Sequence, residues 1–296
     1  MNLNKTIKIT LAVFGIAIPA LFFGNLSQSI GQETPQEQVP AKAENNKAMK
    51  LIVIDPGHGG NLPGAKGRIS YEKDITLQVS LKLKEAIEKE LPGVKAILTR
   101  ETDIDVPFHE RTRLANSNHA DLFISIHCNS ADSDQKVKGR NGRYTTRTIR
   151  RPDVKGTETF VCGYNRLQRG ESNVALRENA DILLEENYKE NYGGFDPNDE
   201  SSYIVFSLLK RTYRSKSIKF ATYIQNEYVR KGRENRGVQE LSLQVLAPAA
   251  MPSVLTEIGF ISNPDEENYM LSQNGQSEIV SNLLDAIKQY KTSTGI

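Results

Sequence analysis

Four side chains in this sequence have the types and settings for hydrolytic metal chemistry. His58 directly follows the apolar run LIVID, His127 closes the run LFISIH, Glu257 lies within VLTEIGF, and Glu72 stands at the start of an amphipathic segment. Each alone has an ordinary structural explanation: a histidine at a strand end commonly hydrogen-bonds, and a glutamate in the first turn of a helix favours the local dipole. As a set they carry more. Two imidazoles and a carboxylate form a catalytic zinc set whose fourth position is left to water. Zinc acidifies that water and polarises a carbonyl oxygen. A second carboxylate outside the coordination sphere can then take the proton and hand it to a leaving amine. Only amide or ester cleavage needs all of these parts.

Such a set requires elements that bring distant residues to one edge. LIVID (Leu51 to Asp55) is a continuous apolar run followed at once by Pro-Gly-His-Gly-Gly, the pattern of a buried strand ending in a tight loop. From Lys73 apolar residues recur mostly at helical spacing until Pro92-Gly93 stops them. A strand VKAILT, a short helix ERTRLANSNHA and a second buried strand LFISIH follow. This β-α-β-α-β order predicts an α/β fold, a mainly parallel twisted sheet with helices on both faces. Loops beyond the carboxyl ends of such strands gather active sites. A fourth strand TETFVCGY, a helix over Lys216–Lys231, a strand PSVLTEIGF and a final helix over Glu278–Lys291 complete one catalytic domain over 49–293.

The order and spacing of IVIDPGHGG, EKDITL, LFISIHCNSA and VLTEIGFISN resemble the four motifs of the zinc-dependent N-acetylmuramoyl-L-alanine amidase family, of the type-3, cell-wall and cell-division kind. The likeness spans essentially residues 49 to 291. It implies that His58, Glu72 and His127 hold one zinc ion and that Glu257 is the general base and then acid. The expected activity is hydrolysis of the amide bond between N-acetylmuramic acid and the L-alanine of the peptidoglycan stem, in wall remodelling and daughter-cell separation. Leu62 before Pro63-Gly64-Ala65 departs from the family, whose members often carry an acid there; no expected ligand is lost. A zinc peptidase cutting within cross-link peptides would use the same metal and base, and an inactive wall-binding module is the reading from another class. The zincin signature, two histidines four apart on a helix, is absent.

Around these residues, Asn129 shares strand direction with His127 and either orients substrate or caps the strand. Asp55 is either an outer support for His58 or a buried cap. Arg100, Arg111 and Arg113 read as ties between loops and carboxylates, and His109 and His119 as solvated or structural. Cys128 and Cys162 read as small buried side chains that would pair only if their strands were neighbours.

Two stretches break the alternation: the cation-rich Lys136 to Arg151, and about 170–213. The cationic stretch reads equally as a grip on stem-peptide carboxylates or as a solvated loop. The second stretch resembles the helical insertion of division amidases, in which a glutamate caps the zinc until an activator protein pulls the helix away. Glu178 is the first candidate for that role and Glu185 the second. At the amino end, Lys5 and Lys8 precede an apolar run of roughly 15 residues, short for a membrane span and suited to a secretory leader over 1–32. Residues 33–48 read as a flexible linker. Loss of the leader's two lysines takes the formal charge from +2 to zero, so the balance demands neither nucleic acid nor lasting membrane insertion. Export is expected, to the periplasm or alternatively outside the cell.

Overall fold

The computed structural model describes residues 48–138, 140, 142–163, 173–180 and 211–295. The expected leader, the linker apart from Ala48, Glu185 and most of the 170–213 insertion lie outside the described residues. In chain order the elements are β1 (Leu51–Pro56), α1 (Glu72–Glu90), β2 (Lys95–Leu98), α2 (Phe108–Ser117), β3 (Leu122–Asn129), β4 (Ser133–Lys138), β5 (Tyr144–Ile149) and β6 (Thr157–Cys162). Then come α3 (Asn173–Ala180), α4 (Arg211–Arg230), β7 (Asn235–Leu241), β8 (Ser253–Phe260), α5 (Pro264–Leu271) and α6 (Gln273–Thr294).

Six strands form one sheet in the order β2-β1-β3-β8-β6-β7. All neighbours run parallel except β6 and β8. The continuous apolar character of β1, β3 and β8 follows from cover on both faces, and every residue of β3 and β8 is buried. On one face Ile52, Ile54, Ile124 and Val254 pack with Ile75, Val79, Leu83 and Ile87 of α1 and with residues of α4 and α6. On the other, Val53, Phe123 and Leu255 meet Phe108 and Ala115 of α2 and Val174 and Ala175 of α3. Fully burying each such branched side chain contributes about 1.5–3 kcal/mol.

Helix ends are set locally. Glu72 and Asp74 occupy the first turn of α1. Asn263 caps α5 by accepting from the amides of Asp265 and Glu266, with Pro264 next in line, and Ser272 caps α6 through the Gly275 amide. The parallel register then does the long-range work. β1, β3 and β8 lie side by side with His127 opposite Glu257, so the carboxyl ends of three strands converge.

Three features differ from the sequence expectation. The strand at TETFVCGY runs antiparallel to β8 rather than continuing the parallel alternation. A further edge strand, β7, pairs with it. The cationic stretch forms the β4–β5 hairpin, a separate two-stranded ribbon. β3 and β6 are separated by β8, so Cys128 and Cys162 stand on strands that are not neighbours.

Candidate metal centre and its cover

The loop after β1 holds His58 in a strained conformation. His58 has φ 58, left-handed for a residue with a side chain, and Gly59 and Gly60 follow with φ 129 and 56. Such strain persists only where surroundings over-determine it. Arg111 from α2 does this: its guanidinium donates to the carbonyls of His58 and Pro56 and to Asp55 Oδ1 at 2.8–2.9 Å. Asp55 also accepts from Thr99 and Ser125 hydroxyls, and although burial works against the charge, Arg111 and these donors hold its pKa below the usual carboxylate range. Asp55 therefore acts on the His58 loop by way of Arg111. Breaking this fully buried pair from one side would cost about 3–5 kcal/mol. Arg100 departs from expectation: it donates to the carbonyls of Pro56, Gly57, Lys73 and Thr102 rather than to a carboxylate. Arg113 pairs with Glu110 on the surface of α2.

Close approach explains two glycines. A Cβ on Gly57 would lie 2.5 Å from the His127 ring, and one on Gly64 would lie 2.5 Å from His58 Cδ2 and 2.6 Å from Glu72 Oε2. Glu72, fully buried, is fixed by two backbone amides, Ala65 to Oε2 at 2.7 Å and Cys128 to Oε1 at 2.9 Å. The loop ahead of it is pinned from α5, where Glu267 accepts from the amides of Arg68, Ile69 and Ser70. Burial disfavours the charge on Glu267, but these donors win and its pKa is lowered.

With these supports, Glu72 Oε2 lies 3.2 Å from His58 Nε2 and Oε1 lies 3.0 Å from His127 Nδ1. Glu178 of α3 adds a fourth donor, with Oε2 3.0 Å from His127 Nδ1 and 3.4 Å from His58 Nε2. One ligand atom from each of the four residues lies within 4.8 Å of the others, and all four are buried. Ligands bound at about 2.0–2.1 Å to a tetrahedral ion stand about 3.3 Å apart, so this spacing fits one small cation. Glu178 Oε2 is moreover buried and faces the two imidazole nitrogens, while Oε1 takes Arg177, which is how a ligand atom presents itself. The donor set, two imidazoles and two carboxylates, suits a borderline divalent ion.

The electrostatics of the cluster are those of a site built around positive charge. Burial alone would lower the pKa of His127, but the charge of Glu178 and hydrogen bonds to both carboxylates raise it to about 10. Burial disfavours the charge on Glu178, which His127 and Arg177 outweigh, placing it well below the carboxylate range. Glu257 behaves oppositely. It is fully buried, neither oxygen has a hydrogen bond among the described residues, and burial followed by the charge of Glu178 pushes its pKa well above the usual value.

Helix α3 thus covers the centre with two side chains. Arg177 pairs with Glu178 at 2.8 Å, reaches 3.6 Å from Glu257 Oε1, and donates to the Ser130 carbonyl. Asn129 accepts from Arg177 and donates to Glu158 on β6, placing it between the cover and the sheet rather than at the ligand cluster. The helix is anchored by Val174 and Ala175 in the apolar layer and by Asn179, which donates to the Ser242 carbonyl and accepts from the Gln244 amide. Of the sequence candidates, His58, Glu72, His127, Glu257 and Glu178 come together. Arg177, Glu158 and Glu267 were not singled out. Adjacency to Glu178 was the one available signal for Arg177; the other two carry none.

A sequence model of the family described as N-acetylmuramoyl-L-alanine amidase, Amidase_3, matches residues 52–289. The N-acetylmuramoyl-L-alanine amidase AmiC of Escherichia coli O6:H1 is 30% identical over 274 residues, 90% of this chain and 58% of that protein. The chain therefore spans little more than half of that relative. The N-acetylmuramoyl-L-alanine amidase AmiA of Escherichia coli K12 is 24% identical over 295 residues, 97% of this chain and 93% of its own length. The crystal structure of an N-acetylmuramoyl-L-alanine amidase from Clostridium difficile 630 aligns with a TM-score of 0.57 at 24% identity, over 83% of this chain and 99% of that one, a likeness of fold. With the motifs, the sheet and the matched span in agreement, the chain belongs to the N-acetylmuramoyl-L-alanine amidase family of type 3.

Proposed function

We propose that this chain hydrolyses the amide between N-acetylmuramic acid and L-alanine in peptidoglycan, using one zinc ion held by His58, Glu72 and His127. The observation that carries this reading is the convergence of those three buried donors beside Glu257, a buried carboxylate without hydrogen bonds among the described residues. When bound, zinc would supply Lewis acidity, acidifying water and polarising the scissile carbonyl. The protein's own part is then proton traffic. Glu257 accepts the proton of the attacking water and delivers it to the amine nitrogen of L-alanine as the C–N bond breaks. Among the described residues no donor occupies its lone pairs, which keeps them available for that exchange. The backbone amides of Ala65 and Cys128 hold Glu72 in one orientation, so little rearrangement accompanies each turnover.

Glu178 at the fourth position makes a closed set of ligands, and catalytic sites keep one position open. In the proposed cycle α3 is an inhibitory cover that an activator protein displaces, with peptidoglycan entering afterwards. Glu185, the second candidate for the capping role, stays an alternative from sequence alone. Wall hydrolysis places the protein in the cell envelope, and the leader-like segment over 1–32 supports export to the periplasm. No helix among the described residues is long and apolar enough to cross a membrane.

Zinc titrated into chelator-stripped protein should bind at one equivalent. His58→Ala and His127→Ala should weaken binding more than about 100-fold, since outer supports alone account for 10–100-fold at such sites. Equal zinc affinity in the variants would sink the assignment of ligands.

A further inference from the structure

The β4–β5 hairpin takes no part in the metal centre, yet its composition and position point to a ligand. Residues 136–151 contain seven Lys and Arg side chains and no acid. Every strand residue of the hairpin is exposed. Isolated two-stranded ribbons are marginal in water, and this one contributes nothing to either apolar layer. The register places Lys136 opposite Thr146 and Lys138 opposite Tyr144 on one face, with Asp134 and Thr148 at its root. Lys138 Nζ lies 5.9 Å above the Tyr144 ring, whose residue is 66% exposed. Lys136 has no carboxylate partner among the described residues.

This face is continuous with the active-site opening. A cleft of ≈ 580 Å³ is lined at one end by Gly64 and Ala65, the backbone that cradles His58 and Glu72, and at the other by Asp134, Thr148 and Arg150. A hollow of ≈ 390 Å³ on the hairpin itself is lined by Lys136, Tyr144, Thr145 and Thr146. An occupant that reaches both the centre and the ribbon must be an extended molecule whose outer part is anionic and offers flat apolar surface to a tyrosine. Carboxylate-bearing stem peptides on a chain of N-acetylated sugars meet both requirements.

We propose that the β4–β5 hairpin is a substrate arm: Lys136, Lys138 and Tyr144 bind the carboxylates and sugar rings of peptidoglycan beyond the unit being cut. This rests on the amidase reading, and the experiment separates the two. Full-length Glu257→Gln protein, which should bind without digesting, is cosedimented with purified sacculi, with and without Lys136→Glu/Lys138→Glu or Tyr144→Ala. The charge reversal should weaken binding about tenfold, and Lys136→Arg/Lys138→Arg should retain it. With Glu257 restored, the charge reversal should raise KM on sacculi and leave turnover of a soluble muramoyl dipeptide unchanged. Circular dichroism should match the parent, since the substituted side chains are exposed. Unaltered sacculus binding overturns the arm, as does equal loss in the arginine variant. Loss confined to vesicles of phosphatidylglycerol and phosphatidylethanolamine would also overturn it and identify a lipid surface instead. Failure of the parent to cut the soluble dipeptide even after Glu178→Ala would count against the amidase reading rather than the arm.

Discussion

Glu257→Gln is expected to lower kcat on peptidoglycan by about 10²–10⁴, the usual contribution of a positioned acid–base group. Glutamine keeps the shape and cannot carry the proton. Zinc content should be unaffected, because the ligand atoms belong to other residues. Stability adds a second, independent readout. In the wild-type chain a carboxyl group is buried at this position without hydrogen bonds among the described residues, and its folded pKa lies well above the ordinary 4.5. A raised carboxyl pKa means that the folded state binds a proton the unfolded state has lost, so wild-type stability declines as pH rises above about 4.5. The neutral amide escapes that decline. Chelator-treated Glu257→Gln should therefore melt no lower than wild type, with a Tm advantage that grows from pH 5 upward. A variant of low Tm, or one that retains full turnover, would contradict the role.

Glu178→Ala should produce the opposite change in activity, raising the basal rate about ten- to a hundredfold. A conformer competent only a small fraction of the time depresses apparent activity by that fraction, and removing a contact worth about 1.4–2.7 kcal/mol restores it by this factor. The substitution opens the fourth position and frees Arg177 from its partner 2.8 Å away. It does not detach α3, which keeps Val174, Ala175 and Asn179 in place, so Glu178→Ala/Asn179→Ala should be more active still. Zinc should stay bound through His58, Glu72 and His127. Release of dye-labelled wall fragments is the measurement, and unchanged or lower activity in both variants would show that α3 only shapes the groove.

The side chains of the centre were legible in the sequence because each stands at a break or a boundary in an apolar pattern. His58 and His127 end the runs that become β1 and β3, Glu257 interrupts the run of β8, and Glu72 begins a helix whose apolar residues recur at 3.6 spacing. Burial on both faces makes such runs visible, and the parallel order follows from helices between them. β7 was not visible for the converse reason. NRGVQEL is a polar, half-exposed edge strand containing Gly237 at φ 91, without alternation strong enough to mark it. The reversed direction of β6 leaves no local trace either, since an antiparallel strand reads the same as a parallel one. Glu178 was reached through a likeness to other insertions, not through spacing, which does not distinguish it from other glutamates of that stretch. Long-range supports stayed hidden altogether: Glu267 pins residues 68–70 from nearly two hundred positions away, and Arg100 takes main-chain carbonyls whose placement no residue type announces.

The most direct test of the whole account is the identity of the bond broken. Chelator-stripped Glu178→Ala protein is incubated with purified peptidoglycan, with and without added zinc, and the soluble products are identified by mass spectrometry. The account predicts intact stem peptides with a free amino-terminal L-alanine and glycan strands bearing unsubstituted N-acetylmuramic acid, released only when zinc is present. Stem peptides cut internally, or the same products without zinc, would contradict it.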